Sequence, residues 1–183
     1  MIKSICAVIC LFLLSDIAVA AQPKQVEQLK KESSMTYKMV HPLHEIEATS
    51  KEAVYKVELD VAKQKIESVS ADVDVTTFDS GNSNRDSHAM EVIDAITFPE
   101  ASFVSSSITQ SGDSLKVAGK ITFHGVTRDV VIDAVTTWST DRVEVRGKFV
   151  LSLTAFSIER PSLLMIPVED ALRFTFVAAF GLH

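Results

Sequence analysis

The chain has 183 residues, with 24 acidic and 18 basic side chains and a net charge of −6 at neutral pH. An acidic chain without a basic stripe is ill suited to nucleic acid, where affinity depends on Lys and Arg facing phosphates, and to broad adhesion on anionic lipid surfaces. Its two cysteines, Cys6 and Cys10, lie in the N-terminal segment, so a chain processed beyond them has no disulfide, no thiol nucleophile and no thiolate ligand for zinc or an iron–sulfur cluster.

That segment reads as a secretory signal peptide over residues 1–20. Lys3 gives a short positive start, Ile5 to Leu14 is an almost unbroken apolar run, and Ala18-Val19-Ala20 is a small-x-small cleavage site before Ala21. A retained membrane anchor fits less well, because the run is shorter than the roughly 20 residues a span needs. Cys10 follows Ala7-Val8-Ile9 rather than the Leu-x-x context of a lipoprotein acylation site. Cleavage removes Lys3 and Asp16 together, so the net charge does not change. Residues 21–33 are polar and charged and read as a flexible lead-in. The rest, 34–183, is long enough for one domain with its own core.

From Ser34 onward the dominant period is two, the mark of strands with one buried face. Runs fall at Met35–His41, Leu43–Thr49, Ala53–Asp60, Lys65–Val75 and Ala101–Thr109. Then Leu115, Val117, Gly119, Ile121 and Phe123 alternate with polar neighbours, as do Val143 to Leu153 and Leu172 to Phe180. Thr127–Thr137 is more uniformly apolar, and its faces cannot be assigned. Ser111-Gly112-Asp113, His124-Gly125-Val126 and Ser139-Thr140-Asp141 read as turns between strands. Ser83 to Ala95 breaks the alternation and reads as a short helix, capped by Ser83 or Asn84, with Pro99 returning the chain to extended structure. The fold class is therefore all-β. An eight-stranded antiparallel barrel is expected, since closure removes exposed sheet edges. Periodicity alone leaves two interiors open, one filled by side chains and one hollow.

Three segments in order resemble the YceI-like family. They are Arg85-Asp-Ser-His-Ala-Met90 followed by Phe98-Pro-Glu-Ala-Ser-Phe103, then Gly119-Lys-Ile-Thr-Phe-His-Gly-Val-Thr127 with Arg-Asp-Val-Val-Ile-Asp133, then Ala155-Phe-Ser-Ile-Glu-Arg160 with Val168-Glu-Asp170. The match covers roughly residues 36 to 182. It departs at the start, where Ala48 stands near the family's usual glycine, and at the end, where Ser157 stands in a position that is often glycine in the family. The resemblance implies a lipocalin-like barrel with a long apolar cavity, a polyisoprenoid or similar lipid-like ligand and no other cofactor. It also implies a periplasmic location, with secretion as the alternative, and a homodimer.

On that reading the cavity is lined by Phe103, Leu115, Val117, Ile121, Phe123, Val145, Phe149, Leu151, Phe174 and Phe176. Arg85, His88 and Arg160 stand at the barrel mouth, where arginine can bind a phosphate or carboxylate head group through forked hydrogen bonds. The bland alternative is that Arg85, Asp86 and His88 pin the helix to the rim. His41 and His44 are poor metal partners, because residues three apart on a strand face opposite sides unless Pro42 bends the chain. No Gly-x-Ser-x-Gly elbow occurs, and Asp86-Ser87-His88 are adjacent, unlike a catalytic triad. The expected function is non-enzymatic storage or carriage of an apolar ligand. A periplasmic stress or interaction protein with a mainly structural barrel is the alternative, and an enzyme acting on a lipid-like substrate is the third.

Overall fold

The structure is a computed structural model and describes residues 23–182. The signal peptide expected over 1–20 lies outside them. Strands β1 (Lys24–Gln25), β2 (Ser34–His41), β3 (His44–Ser50), β4 (Val54–Asp60) and β5 (Lys65–Asp74) precede the helix α1 (Ser83–Val92). Strands β6 (Glu100–Ser111), β7 (Ser114–Phe123), β8 (Val126–Trp138), β9 (Arg142–Ser152), β10 (Ser162–Leu163), β11 (Ile166–Pro167) and β12 (Ala171–Gly181) follow it. One ten-stranded sheet runs β1-β4-β5-β6-β7-β8-β9-β12-β2-β3, and β10 with β11 forms a separate hairpin.

The expected eight-stranded barrel is thus corrected to a ten-stranded, strongly curled antiparallel sheet, a half-barrel with one short helix. The eight period-two runs of the sequence and the more uniformly apolar Thr127–Thr137 all form strands, and the two-residue β1, which has no periodicity of its own, is the tenth of this sheet. The curl is tight enough that Tyr55 of β4 stacks on Phe176 of β12, ring centroids 5.9 Å apart, across the interior. Closure is not by a ladder. β3 and β4 are joined by Lys51–Ala53 but do not pair, and β1 and β3 are the edges.

The segment expected as a flexible lead-in packs into this seam. β1 pairs with β4, and Gln28 bridges to Phe180 of β12. The Gln28 side chain then acts as a strand partner would: Nε2 donates to the Ala53 carbonyl and Oε1 accepts from the Tyr55 N–H, both at 2.9 Å. Val26 and Ser33 are buried there. At the other end of the seam Thr49 of β3 bridges Asp79. Exposed strand edges invite pairing with other chains, and these contacts occupy part of the seam between them.

Local chemistry explains the turns. Phe123 pairs with Val126 across His124-Gly125, whose φ values of 49° and 69° define a two-residue type I′ turn. The His124 ring packs edge-on to Phe98 and its Nδ1 lies 2.9 Å from the Phe156 carbonyl oxygen, which fixes this hairpin against its neighbours. The helix cap is Asn82, not Ser83 or Asn84: its side chain accepts from the Arg85 N–H. The helix ends at Val92, because Asp94 has φ 45° and turns the chain away. In β8, Ile132, Ala134 and Thr136 face inward, while Val131 and Val135 are exposed. Valines on the outer face are what made this strand look uniformly apolar.

The interior has two parts. At one end Val57, Leu59, Ile66, Val143 and Phe180 are buried and fill the space between the curled walls. At the other end the sheet stays open. The boundary is a layer of rings. Phe176 lies over Gly147 and Phe103 over Gly119, so close that a β carbon on either glycine would come within 2.4–2.5 Å of the ring. Only glycine lets these rings lie flat against the wall.

Candidate ligand-binding cavity

Above that layer is a cavity of about 320 Å³, at the lower end of the roughly 300–1,000 Å³ of small-molecule sites. Its walls come from β2, β3, β5, β6, β7, β9 and β12, and α1 with Val75 and Phe78 of the segment before it covers one side. Phe149 and Phe174, register partners on β9 and β12, stack at 4.8 Å and 6° and form one flat wall. Tyr37 packs at 5.3 Å from Phe78 and 6.3 Å from Phe174.

Six of the ten expected lining residues are in the wall: Phe103, Ile121, Phe123, Phe149, Leu151 and Phe174. The other four are not. Leu115, Val117 and Val145 are buried in the filled end, and Phe176 belongs to the ring layer beneath. The alternation assigns these residues to the correct face, but it carries no information on where along a strand the filling stops. Met35, Tyr37, Met39, Phe78 and Leu172 also line the cavity and were missed. Met35, Tyr37 and Met39 alternate with Thr36 and Lys38, a signal present in the sequence but diluted by the unbroken Met39-Val40 pair.

The mouth lies where lining residues are exposed: His44 beyond β2, His88 on α1, and Ser162 and Leu163 of β10. Arg85 and Asp86 line the same side, and both hold the loop before the helix. Arg85 Nε donates to Ser80 Oγ at 3.0 Å, and the Asp86 carboxylate accepts the Ser80 N–H at 3.2 Å. Among the described residues, only Ser80 accepts a hydrogen bond from the Arg85 side chain. His88 is exposed, its Nδ1 3.6 Å from Glu91. Burial raises the pKa of Tyr37 above the ordinary tyrosine value. The Asp86 charge adds to the rise and Arg85 opposes it, so the phenol stays a neutral donor facing this polar corner.

Arg160 is not itself among the lining residues, although the adjacent Pro161 and Ser162 are. It lies near Asp170, and its buried Nε has no partner among the described residues. Asp170 is held instead by Ser152 Oγ at 2.5 Å and the Thr154 N–H at 2.9 Å, so it fastens the corner between β9 and β12.

His41 and His44 do come together, ring centroids 5.2 Å apart, because Pro42-Leu43 is a hairpin turn rather than strand. His41 is nevertheless fully engaged. Its Nδ1 accepts the Leu43 N–H at 3.1 Å, which leaves Nε2 as the donor to the Ile166 carbonyl at 2.9 Å. Among the described residues no three His, Cys, Asp or Glu side chains converge as a metal site requires.

An antiparallel β protein whose main sheet curls around an apolar hollow covered on one side by helix α1 is the class these features define. The chain belongs to the YceI-like domain family, whose profile matches residues 27–180. A UPF0312 protein of Pseudomonas fluorescens is 30% identical over 111 residues, 56% of this chain and 58% of that protein. The chain thus spans little more than half the length of such curated relatives in the alignment. Among solved structures, Burkholderia cenocepacia BcnA superposes with a TM-score of 0.75 at 23% identity, covering 84% of this chain and 99% of that one. A polyisoprenoid binding domain from Saccharophagus degradans superposes with a TM-score of 0.64 at 11% identity, covering 88% and 98%.

Proposed function

We propose that this chain is an exported, non-enzymatic binding protein that holds an apolar, lipid-like ligand of the polyisoprenoid class, as a carrier or buffer in the periplasm. The observation that carries this reading is the 320 Å³ cavity walled by Phe103, Phe123, Phe149 and Phe174, with polar groups gathered at one corner. Apolar surface removed from water contributes about 25 cal/mol per Å², so a hydrocarbon needs few polar contacts to be held there. The structural neighbour named as a polyisoprenoid binding domain supports the ligand class. The filled end limits depth. A short prenyl chain, or the tail of a long one, suits the cavity.

The head group is placed at Arg85 and Tyr37. Arginine binds a phosphate through paired hydrogen bonds, and the neutral phenol adds a donor. The test is calorimetric titration with farnesol and farnesyl phosphate. Ala71, a small residue of the wall, is replaced by phenylalanine to fill the hollow. Ala71→Phe is expected to weaken both ligands at least tenfold with the fold retained, and Arg85→Gln to weaken the phosphate several-fold more than the alcohol. Absence of saturable binding to the wild type, or unchanged binding to Ala71→Phe, would contradict the proposal.

A further inference from the structure

The hairpin of β10 and β11 stands at the cavity mouth and is not explained by the cavity alone. Residues 161–168 carry no charge. Four successive side chains there, Leu163, Leu164, Met165 and Ile166, are 46%, 76%, 96% and 40% exposed. Leu163 pairs with Ile166 across a two-residue turn, and Leu164 and Met165 both adopt left-handed conformations, φ 53° and 65°. Such type I′ turns favour Asn-Gly, because a β carbon crowds the backbone at positive φ. Two bulky apolar residues here work against both the turn and solubility. Local rules broken together at one place mark a site selected for something other than folding.

A second turn joins this one. Leu43, 60% exposed, sits in the Pro42-Leu43 turn between β2 and β3. His41 ties the two turns together, accepting the Leu43 N–H on one ring nitrogen and donating to the Ile166 carbonyl from the other. The result is an apolar rim of five side chains, and Leu163 belongs both to this rim and to the cavity wall.

We propose that this rim docks the cavity mouth onto the surface of a net-neutral phospholipid bilayer, so that a ligand passes between membrane and cavity without crossing water. The proposal rests on reading the cavity as a lipid-holding site. Five side chains are far fewer than the roughly 20–30 residues per partner of a stable protein–protein interface, which argues against a second copy. The uncharged hairpin on a chain of net charge −6 makes the attraction apolar rather than electrostatic.

The test uses the exported protein and its Leu164→Asn/Met165→Gly variant, whose new turn residues suit the observed backbone and keep the hairpin folded. Co-sedimentation with phosphatidylcholine vesicles is measured at low and high salt, alongside farnesol titration in vesicle-free buffer. The wild type is expected to partition onto vesicles independently of salt, and the variant at least tenfold more weakly, with farnesol binding equal in the two. Equal partitioning, or none by the wild type while farnesol still binds, overturns the docking proposal alone. Loss of farnesol binding by the wild type overturns the cavity reading instead. Self-association of the wild type that the variant abolishes, without vesicle binding, gives the rim to a second copy and also overturns docking.

Discussion

At the scale of single residues, two buried or half-buried carboxylates hold corners of the fold together. Lys63 donates to Asp60 from both Nζ and its backbone N–H, at 2.8 and 3.0 Å, and lowers the Asp60 pKa below the usual carboxylate value. Asp170 is lowered by Ser152 Oγ and then by the Thr154 N–H. A group whose pKa is lower folded than unfolded stabilises fully above its unfolded value and loses that contribution as pH falls through the folded one. Asp170→Asn is therefore expected to melt a few degrees below the wild type at neutral pH, with the gap closing as pH falls below the ordinary carboxylate range. Thermal melts across that range check this, and a gap that persists in acid would assign Asp170 a purely steric role. Residue identity was readable where a residue's chemistry is local, as at His124-Gly125, whose turn the sequence announces. It was unreadable where the partner is distant. Nothing near Arg160 in sequence points to Asp170, and nothing near Gly147 predicts the Phe176 ring lying on it.

At the scale of elements, the period-two runs located every long strand but β8, because each has one wet and one dry face, whereas the exposed Val131 and Val135 hide the two faces of β8. Elements without a face were invisible. The stretch 24–33 is polar, yet it supplies β1 and the seam contacts of Gln28. Its order comes from backbone groups of β4 and β12 that need partners, together with the burial of the lone Val26. Gln28→Ala leaves the Ala53 carbonyl and Tyr55 N–H without their partner, and an unsatisfied buried group costs about 1–3 kcal/mol. Urea denaturation is expected to show a loss of that size, against little change for the exposed Glu27→Ala. Equal effects of the two substitutions would mean that the seam does not depend on the Gln28 amide. The hairpin of β10 and β11 was hidden for a different reason. Leu163 to Ile166 reads as an apolar run with no Gly or Asn to signal a turn, and its turn is made by residues that disfavour one.

At the scale of the whole molecule, the choice between a filled and a hollow interior could not come from alternation, which gives the same pattern for both. The structure divides the answer. Val145, Val117 and Leu115 fill one end, and Phe149, Phe174 and Phe123 surround an open space at the other, with the glycine-seated rings of Phe103 and Phe176 between them. A sheet that only needed to be stable would gain from filling the second end as well, since empty apolar space forfeits packing contacts. Keeping it open makes sense when a ligand completes the core, and a bound ligand would then raise the melting temperature by mass action. The measurement that tests this most directly is mass spectrometry of an organic extract of the protein, purified from its own host without detergent, beside a solvent-exposed control protein. A prenyl-chain molecule at near-stoichiometric amount is the predicted result. Repeated extracts no richer in apolar molecules than the control would contradict the account.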